Sequence, residues 1–403
     1  MRFLLDAEQR AFAASLDAML TAARTPAVIR SWSAGDHGAG RALWSRLADA
    51  GVFALAVPEA DGGLGPRPVE LVVAFMELGR HAVPGPLVET VTAATLLSTG
   101  DRARELLPAL ASGRTTATVA PPAPTDAPTI TLYDDTGTGT GTGTAPAGHA
   151  PAPDLYTPAL EGNSHIPDAN SSNPEGNSPT LEAPEANSPT PEAPEANSPT
   201  PEGTLPAPES TPLALDGDAA SLRLVVDAEG LRLASGHGPV RVSLDPARRL
   251  TPLAPGGEIL TERPPVEEAF ALARLATAAQ ALGVGLALLD RTVAHVRRRT
   301  QFGVPIGSFQ AVKHRLADAK IALEFARPLL LGAALTRDPV DIAAAKVTAC
   351  EAAYGTAKAA LQLHGAIGYT AEYDLSLWLT KAIALRSAWG TPRECREVVV
   401  RGR

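Results

Sequence analysis

The sequence Gln362-Leu-His-Gly-Ala-Ile-Gly-Tyr-Thr370 closes a long alanine-rich stretch and is the last of three short motifs in the C-terminal part of the chain. Arg299-Thr-Gln-Phe-Gly303 and Phe309-Gln310 precede it. Arginine is a permanent cation that suits a diphosphate, and Gly365 lets a phosphate approach the backbone closely. The three motifs therefore indicate a binding site for an anionic ligand such as a nucleotide.

Long helical patterns surround these motifs. Residues 267–299 carry a continuous apolar face without proline, which predicts a long helix. The same periodicity predicts three further helices, over residues 310–335, 340–363 and 375–388. Because the connections between the four helices are short, we expect an antiparallel four-helix bundle.

The first 114 residues also predict helices. Asp6 can cap a helix whose apolar residues recur every three or four positions. A second helix passes through Leu43 and Trp44 and ends at Gly51, and two more are predicted over residues 68–80 and 88–97. Between them, residues 53–57 form an apolar stretch that we expect to be extended, followed by a glycine turn.

The middle of the chain changes character. Residues 130–133 predict a short β-strand, after which Thr and Gly alternate and a ten-residue unit rich in Pro, Glu and Ala repeats. Such a segment has almost no apolar surface to offset the entropy of ordering, so residues 134–212, approximately, are predicted to be a disordered acidic insertion. Residues 222–226, 230–234 and 240–244 predict three strands of a small β domain.

The charge of the chain is unevenly distributed. The net charge is −9, yet no Lys or Arg lies between Thr115 and Leu222, so the rest of the chain is mildly basic. This suits an anionic ligand, while the dense basic and aromatic patch of a nucleic-acid-binding protein is not found.

No apolar stretch of about 18 residues without breakers is recognised, so we expect no membrane span. Acidic residues near the N-terminus argue against an export signal, and we expect a cytoplasmic protein with Cys350 and Cys395 reduced.

Taken in order, the motifs at both ends of the chain resemble those of acyl-CoA dehydrogenases. At the N-terminal end they are Leu43-Trp44, Gly51-Val52, Val57-Pro58-Glu59, Gly62-Gly63-Leu64-Gly65 and Glu77-Leu78-Gly79-Arg80. The resemblance covers residues 1 to about 114 and 262 to 403. It implies a mainly α fold of three parts: an N-terminal helical domain (1–114), a reduced middle β domain (115–261) interrupted by the insertion, and a C-terminal four-helix bundle (262–403).

The resemblance also implies a reaction and a cofactor. The family removes an α-proton and a β-hydride from an acyl-CoA thioester, in fatty acid or sterol-type β-oxidation, with FAD as hydride acceptor. The FAD-binding residues it implies here are Arg299, Gln301, Phe302, Gln310, Gln362, Gly365 and Thr391. Most of them would hold the adenine end of an FAD bound to a neighbouring subunit. Arg274 is implied to contact the CoA part of the substrate, and no metal is expected.

The residues that would act as the base in this family are absent. The usual glutamate position is Trp389, in Trp389-Gly390-Thr391, and the alternative position, one residue before Arg274, is Ala273. Neither side chain accepts a proton, and Glu267 and Glu268 lie about two helical turns from Arg274. No Thr-Glu-Pro-x-x-Gly-Ser-Asp-like flavin loop is found between residues 115 and 260.

These losses leave three interpretations open. In the first, the chain is the non-catalytic, FAD-supporting subunit of a heteromer with an intact acyl-CoA dehydrogenase subunit. In the second, it is a homomeric flavoenzyme with a relocated base. In the third, it is a non-enzymatic interaction protein whose flavin site has decayed.

Overall fold

A computed structural model describes residues 4–121 and 211–402 of the chain. The β-strand predicted at 130–133 lies outside these residues, and so does the predicted acidic insertion except for its last two positions. Those two predictions are therefore untested by the structure.

Seven helices form the N-terminal part of the described chain. Asp6 caps the first of them: its side chain accepts a hydrogen bond from the backbone N–H of Gln9, and the Gln9 side chain accepts one from the backbone N–H of Asp6. The helices α4 and α5 confirm the predictions, whereas α2, α6 and α7 were not predicted. Their bounds are α1 Ala7–Ala22, α2 Thr25–Ser33, α3 Gly38–Asp49, α4 Pro68–Arg80, α5 Leu87–Leu96, α6 Asp101–Arg104 and α7 Leu107–Ala111.

The apolar stretch after Gly51 was predicted to be extended. In the structure it instead forms a 3₁₀ helix over Phe53–Ala56. The glycine turn folds back onto this stretch. The backbone N–H of Leu64 donates to the carbonyl of Ala54 at 2.9 Å, and that of Gly65 donates to Val57 at 3.0 Å. Because these carbonyls are satisfied locally, the segment needs no neighbouring strand.

Two small sheets follow. The larger has the strand order β1-β3-β4-β7, in which β1 and β3 are parallel and the other pairs antiparallel, and the smaller has the order β2-β6-β5. The strands predicted over 222–226 and 230–234 are confirmed as β3 and β4. The bounds are β1 Ala117–Ala120, β2 Leu213–Leu215, β3 Leu222–Asp227, β4 Gly230–Leu233, β5 Gly236–His237, β6 Leu250–Ala254 and β7 Ile259–Thr261.

The prediction of a strand over residues 240–244 is wrong. Within it, Arg241 makes an isolated antiparallel bridge to Leu250, and no regular strand forms. Val242 is 91% exposed and Leu244 is 58% exposed. Because no element of the described residues covers these side chains, the alternation of apolar residues has no buried face to stabilise.

The C-terminal bundle matches its prediction closely. A small hairpin connects α8 to α9, and α12 was not predicted. The bounds are α8 Val266–Arg298, β8 Thr300–Gln301, β9 Val304–Pro305, α9 Gln310–Thr336, α10 Pro339–His364, α11 Leu375–Ser387 and α12 Pro392–Arg401. His295 and His364 stack with ring centroids 4.0 Å apart, so α8 and α10 end at the same end of the bundle.

Helix α8 is the centre of the core. Contrary to expectation, it contains an 18-residue window with a mean hydropathy of 1.6, which is long and apolar enough to cross a membrane by length and composition. In the structure 89% of that window is buried. The helix is as apolar as a membrane span because it lies in the protein core, where α4, α5, α9, α10 and α11 pack around it.

Candidate functional site

The hairpin between α8 and α9 presents the first group of predicted cofactor residues. Gln301 ends β8, and Phe302 and Gly303 form the turn with φ of +53° and +79°. Phe302 is 92% exposed. The guanidinium of Arg299 is exposed and, within the part of the chain that the structure covers, has no hydrogen-bond or ion-pair partner. The hairpin therefore offers an exposed cation and an exposed aromatic ring, which meets Phe309 edge-on at 6.3 Å, to a ligand.

The second group lies on the ends of neighbouring helices. Gln310 begins α9, and Gln362 lies in the last turn of α10, both exposed. Gly365 has φ +64°, and a Cβ added there would meet nothing within 4 Å. The stacked pair His295 and His364 joins the end of α8 to the end of α10. The structure thus brings Arg299, Gln362 and Gly365 to the same end of the bundle.

His364 itself is a packing residue. Its ring is buried, and its Nδ1 lies 2.8 Å from the carbonyl oxygen of Ala360. Burial lowers the pKa of His364, and it also lowers the pKa of His295, to which nearby Arg298 and Arg299 add repulsion. Both imidazoles therefore stay neutral near pH 7, and the positive charge at this end comes from the arginines.

Thr391 lies elsewhere. Its hydroxyl oxygen accepts from the backbone N–H of Glu394 at 3.2 Å and caps α12. The preceding residue, Gly390, is hydrogen-bonded to Lys346, near the start of α10. At 1.5 Å per residue, Lys346 is roughly 27 Å along the helix from His364. Within one chain, Thr391 is therefore separated from the other predicted cofactor residues.

The turn that contains Trp389 (residues 388–391, hereafter the Trp389 turn) is tightly held. Trp389 has φ +57°, a left-handed conformation that is uncommon for a residue other than glycine. Arg274 Nε donates to the carbonyl oxygen of Trp389 at 3.2 Å, and Lys346 Nζ donates to that of Gly390 at 2.9 Å. Arg274 thus lies beside the predicted base position, with its guanidinium bonded to the main chain.

The side chain of Trp389 points between α5 and α8. Its indole Nε1 donates to Oε1 of Glu89 at 3.1 Å, and its ring meets Phe270 edge-on at 5.4 Å. Ala273, the alternative base position, is completely buried. Neither predicted position carries a proton acceptor, as the sequence indicated.

Glu89 and Lys346 were missed by the sequence analysis. Glu89 is the one charged residue of the apolar helix α5, and Lys346 is buried in the alanine-rich helix α10. For Glu89, a single charge in an otherwise apolar helix was the available signal, whereas α10 also contains Asp341, Glu351 and Lys358 and gave no such signal for Lys346. Burial raises the pKa of the Glu89 carboxyl, and Arg248 and the hydrogen bonds to the carboxyl, including that from the indole, oppose this shift only in part.

A cavity of about 940 Å³ lies between the 53–58 segment, α4, α5, the start of α8 and the α9–α10 connection. Its volume lies in the range of small-molecule sites. Its lining does not include Trp389, Ala273 or Arg274. Its apolar lining includes Leu55, Leu71, Ala271, Leu275 and Ile342, and its charged lining is Arg67, Arg337, Glu267 and Glu268.

Comparison with known proteins identifies the fold and the family. Residues 6–114 match the family model "Acyl-CoA dehydrogenase, N-terminal domain", and residues 265–402 match "Acyl-CoA dehydrogenase, C-terminal domain". The chain belongs to the acyl-CoA dehydrogenase family. Members of this family are FAD-binding flavoproteins. The exposed arginine, the amides and the open glycine at the bundle end fit the anionic part of that cofactor.

One curated relative is similar to part of the chain. The chain is 34% identical to acyl-CoA dehydrogenase IpdE2 of Mycolicibacterium smegmatis over 182 residues, which are 45% of this chain and 58% of the relative. The match thus spans little more than half the length of that curated relative.

Two solved structures share the whole fold. The ChsE4-ChsE5 complex from Mycobacterium tuberculosis has a TM-score of 0.65 at 21% identity, and covers 100% of this chain and 98% of that one. A glutaryl-CoA dehydrogenase from Mycobacterium smegmatis in complex with FADH2 has a TM-score of 0.68 at 15% identity, with coverages of 99% and 95%. At these identities they establish the fold of this chain.

Proposed function

We propose that this chain is the non-catalytic, FAD-supporting subunit of a heteromeric acyl-CoA dehydrogenase. A partner chain of the same family would carry the base that removes the α-proton of the acyl-CoA thioester. The observation that carries this proposal is the Trp389 turn, where a partly buried indole stands at the usual base position and a buried methyl group, Ala273, at the alternative one.

The residues at the hairpin end support the cofactor role. FAD supplies the hydride acceptor of the reaction when it is bound. Arg299 would bind the pyrophosphate through its unpaired guanidinium, and Gln301, Gln310 and Gln362 would donate or accept hydrogen bonds. These side chains are exposed on the outside of the bundle. A cofactor that they contact must be held largely by a second chain.

An apolar stripe on α9 supports assembly with a partner. Ile321, Phe325 and Leu329 recur every four residues and are 53%, 69% and 49% exposed. Side chains at this spacing lie on one face of a helix. Exposed apolar faces of this kind mark protein interfaces. One chain of the ChsE4-ChsE5 complex shares this fold, which supports a heteromer.

The large cavity supports acyl-CoA as the ligand class. Apolar side chains line its interior, and Arg67 and Arg337 supply cations for phosphate groups. A thioester with a long, phosphate-bearing tail needs both kinds of surface.

The test is co-expression of this chain with a family member that has Glu at the position of Trp389 and is encoded by a neighbouring gene. We expect a stable complex that retains FAD, visible as a yellow absorbance band, and that reduces the flavin when an acyl-CoA is added. Each chain expressed alone is the control. A yellow protein from this chain alone, bleached by acyl-CoA, would favour a homomeric enzyme with a relocated base. Chains that stay separate and colourless would favour the interaction protein.

A further inference from the structure

Asp17, Glu77 and His81 bring three potential metal ligands together where α1 packs against α4. His81 Nε2 lies 2.8 Å from Oδ1 of Asp17, although 64 positions separate the two residues along the chain. One ligand atom from each of the three side chains lies within 4.8 Å of the other two. The fold therefore gathers a set of donor atoms that the local sequence pattern does not show.

Helix α4 fixes two of the three donors relative to each other. Glu77 lies in its last turn, and His81 is its C-cap residue, whose backbone N–H donates to the carbonyl oxygen of Glu77 at 3.1 Å. Residues four positions apart lie on one face of a helix, which is the spacing that zinc-binding helices use for two ligands. Asp17, on α1, supplies the third donor from the neighbouring helix.

One oxygen of the Glu77 carboxyl group has no hydrogen-bond donor. This atom, Oε2, is buried and makes no hydrogen bond among the described residues. Arg80 Nε is 3.7 Å away, too far for a hydrogen bond, and the Arg80 guanidinium donates instead to Asp290 at 2.9 Å. Arg327 acts on the carboxyl only through its charge. A buried carboxylate oxygen without a donor is costly, and a bound cation is one way in which proteins satisfy such an atom.

The donor set selects the kind of ion. One imidazole nitrogen and two carboxylate oxygens suit Zn²⁺ and its neighbours in the first transition row, whereas Mg²⁺ and Ca²⁺ prefer oxygen ligands alone. Two carboxylates and a neutral imidazole also balance a charge of +2. With metal–ligand bonds of about 2.1 Å, the ligand atoms around a tetrahedral ion are about 3.4 Å apart. The His81 and Asp17 atoms are already within that distance, and Glu77 reaches it by rotation about its side-chain bonds.

We propose that Asp17, Glu77 and His81 form a binding site for a divalent transition-metal ion such as Zn²⁺, which joins α1 to α4. The Asp17 side chain is 54% exposed, so water can complete the coordination of the ion. None of the three ligands lines the large cavity. The inference therefore does not rest on the proposed function, and it adds a metal where the sequence predicted none.

The test is isothermal titration of Zn²⁺ into the purified full chain after treatment with a chelator, and we expect a single ion to bind per chain. Even the outer partners of metal ligands are worth roughly 10–100-fold in affinity, so the loss of a ligand should weaken binding by at least about tenfold. This applies to Asp17→Asn, Glu77→Gln and His81→Ala. His314→Ala removes an exposed histidine of α9, is the control, and should bind Zn²⁺ as the wild type does.

Thermal unfolding with and without Zn²⁺ provides a second measurement. A ligand that binds only the folded state stabilises it, so Zn²⁺ should raise the unfolding midpoint of the wild type and of His314→Ala. The midpoints of His81→Ala and Glu77→Gln should not respond. Glutamine keeps the shape of the glutamate side chain, so Glu77→Gln removes the ligand while the chain stays folded, which circular dichroism checks.

Three results would overturn the site. If the wild type bound no Zn²⁺, Asp17 and His81 would be an ion pair and nothing more. If His314→Ala lost as much affinity as His81→Ala, the ion would be bound by scattered surface histidines. If Mg²⁺ bound as tightly as Zn²⁺ and His81→Ala changed nothing, the cluster would be two carboxylates that attract any cation.

Discussion

Lys346 Nζ donates a hydrogen bond to the carbonyl oxygen of Gly390 at 2.9 Å from a side chain that is only 1% exposed. The same ammonium group lies 3.4 Å from the carbonyl of Leu385 and 3.3 Å from that of Arg386. These are carbonyls at the end of α11, which have no partner within the helix. One lysine of α10 therefore caps α11 and holds the Trp389 turn.

Replacing this lysine should destabilise the protein. Lys346→Met keeps much of the volume but leaves buried carbonyl groups without donors, and we expect a loss of about 2–4 kcal/mol in the free energy of unfolding. Denaturant unfolding followed by circular dichroism measures it. Lys358→Met, on the exposed side of the same helix, is the control and should change stability by about 0.5 kcal/mol or less. Equal effects of the two substitutions would contradict the capping role.

The crossing of α4 and α8 depends on two glycines. A Cβ at Gly283 would lie 2.0 Å from the carbonyl oxygen of Met76, and one at Gly79 would lie 2.1 Å from that of Gln280. Because backbone atoms cannot move aside as a side chain can, Gly283→Ala should cost about 3 kcal/mol or more. The same unfolding experiment measures this loss.

Gly355 provides the matched control for this crossing. It lies in α10, and a Cβ there would meet nothing within 4 Å. Gly355→Ala should therefore stabilise the chain by about 0.5–1 kcal/mol, through the better helix propensity of alanine. A Gly283→Ala variant as stable as wild type would show that the two helices do not approach this closely.

The helices that the sequence predicted well carry their signals locally. Helix α4 starts at Pro68, and α10 ends at His364 with Gly365 as its C-cap, as proline and glycine favour at these positions. Helix α2 was missed because its N-cap, Arg24, makes no side-chain capping bond and has φ +50°. The strand predicted over residues 240–244 did not form because strand pairing depends on tertiary neighbours, and the local sequence pattern carries no information about them.

The residues of the candidate site were likewise predicted where the signal was local and missed where it was long-range. Trp389 and Ala273 were located by position in known motifs, and the structure places the Glu89 carboxyl 3.1 Å from the Trp389 indole and buries Ala273 completely. Glu89 was not predicted because its partner, Trp389, is 300 positions away along the chain. Lys346 was not predicted because its hydrogen bond to Gly390 spans 44 positions. Of these two long-range pairs, only that of Glu89 leaves a trace in the sequence, as an isolated charge in an apolar helix.

Arg299 should contribute to cofactor retention by the assembled protein. Arg299→Ala removes an unpaired guanidinium at the hairpin, so its effect should fall on the ligand and not on folding. We expect FAD to bind more weakly by about 1.5–3 kcal/mol, the range of a charged hydrogen bond. Flavin fluorescence during dialysis of the co-expressed complex measures this loss. Arg297→Ala, an exposed arginine of the preceding helical turn, is the control and should retain FAD as wild type does. Equal retention by both variants would remove Arg299 from the cofactor site.

Glu77 should make the stability of the chain depend on pH. Burial is the main cause that raises the pKa of this carboxyl to about 7, although Arg80 lies 3.7 Å away and opposes the shift. In the unfolded chain the group ionises near its ordinary pKa of 4.5. Between these two pH values the unfolded state loses its proton first, so stability falls as the pH rises from about 4.5 to 7 and stays lower above that.

Glu77→Gln should remove this fall and stabilise the chain at pH 8 by about 2 kcal/mol, less than the full shift implies because some solvent reaches the group. Urea unfolding at several pH values measures the slope, with the exposed Glu105→Gln as control. If the slope of Glu77→Gln matched that of the control, the pH dependence would have to come from other buried carboxyls such as Asp216, whose pKa burial raises to about 8.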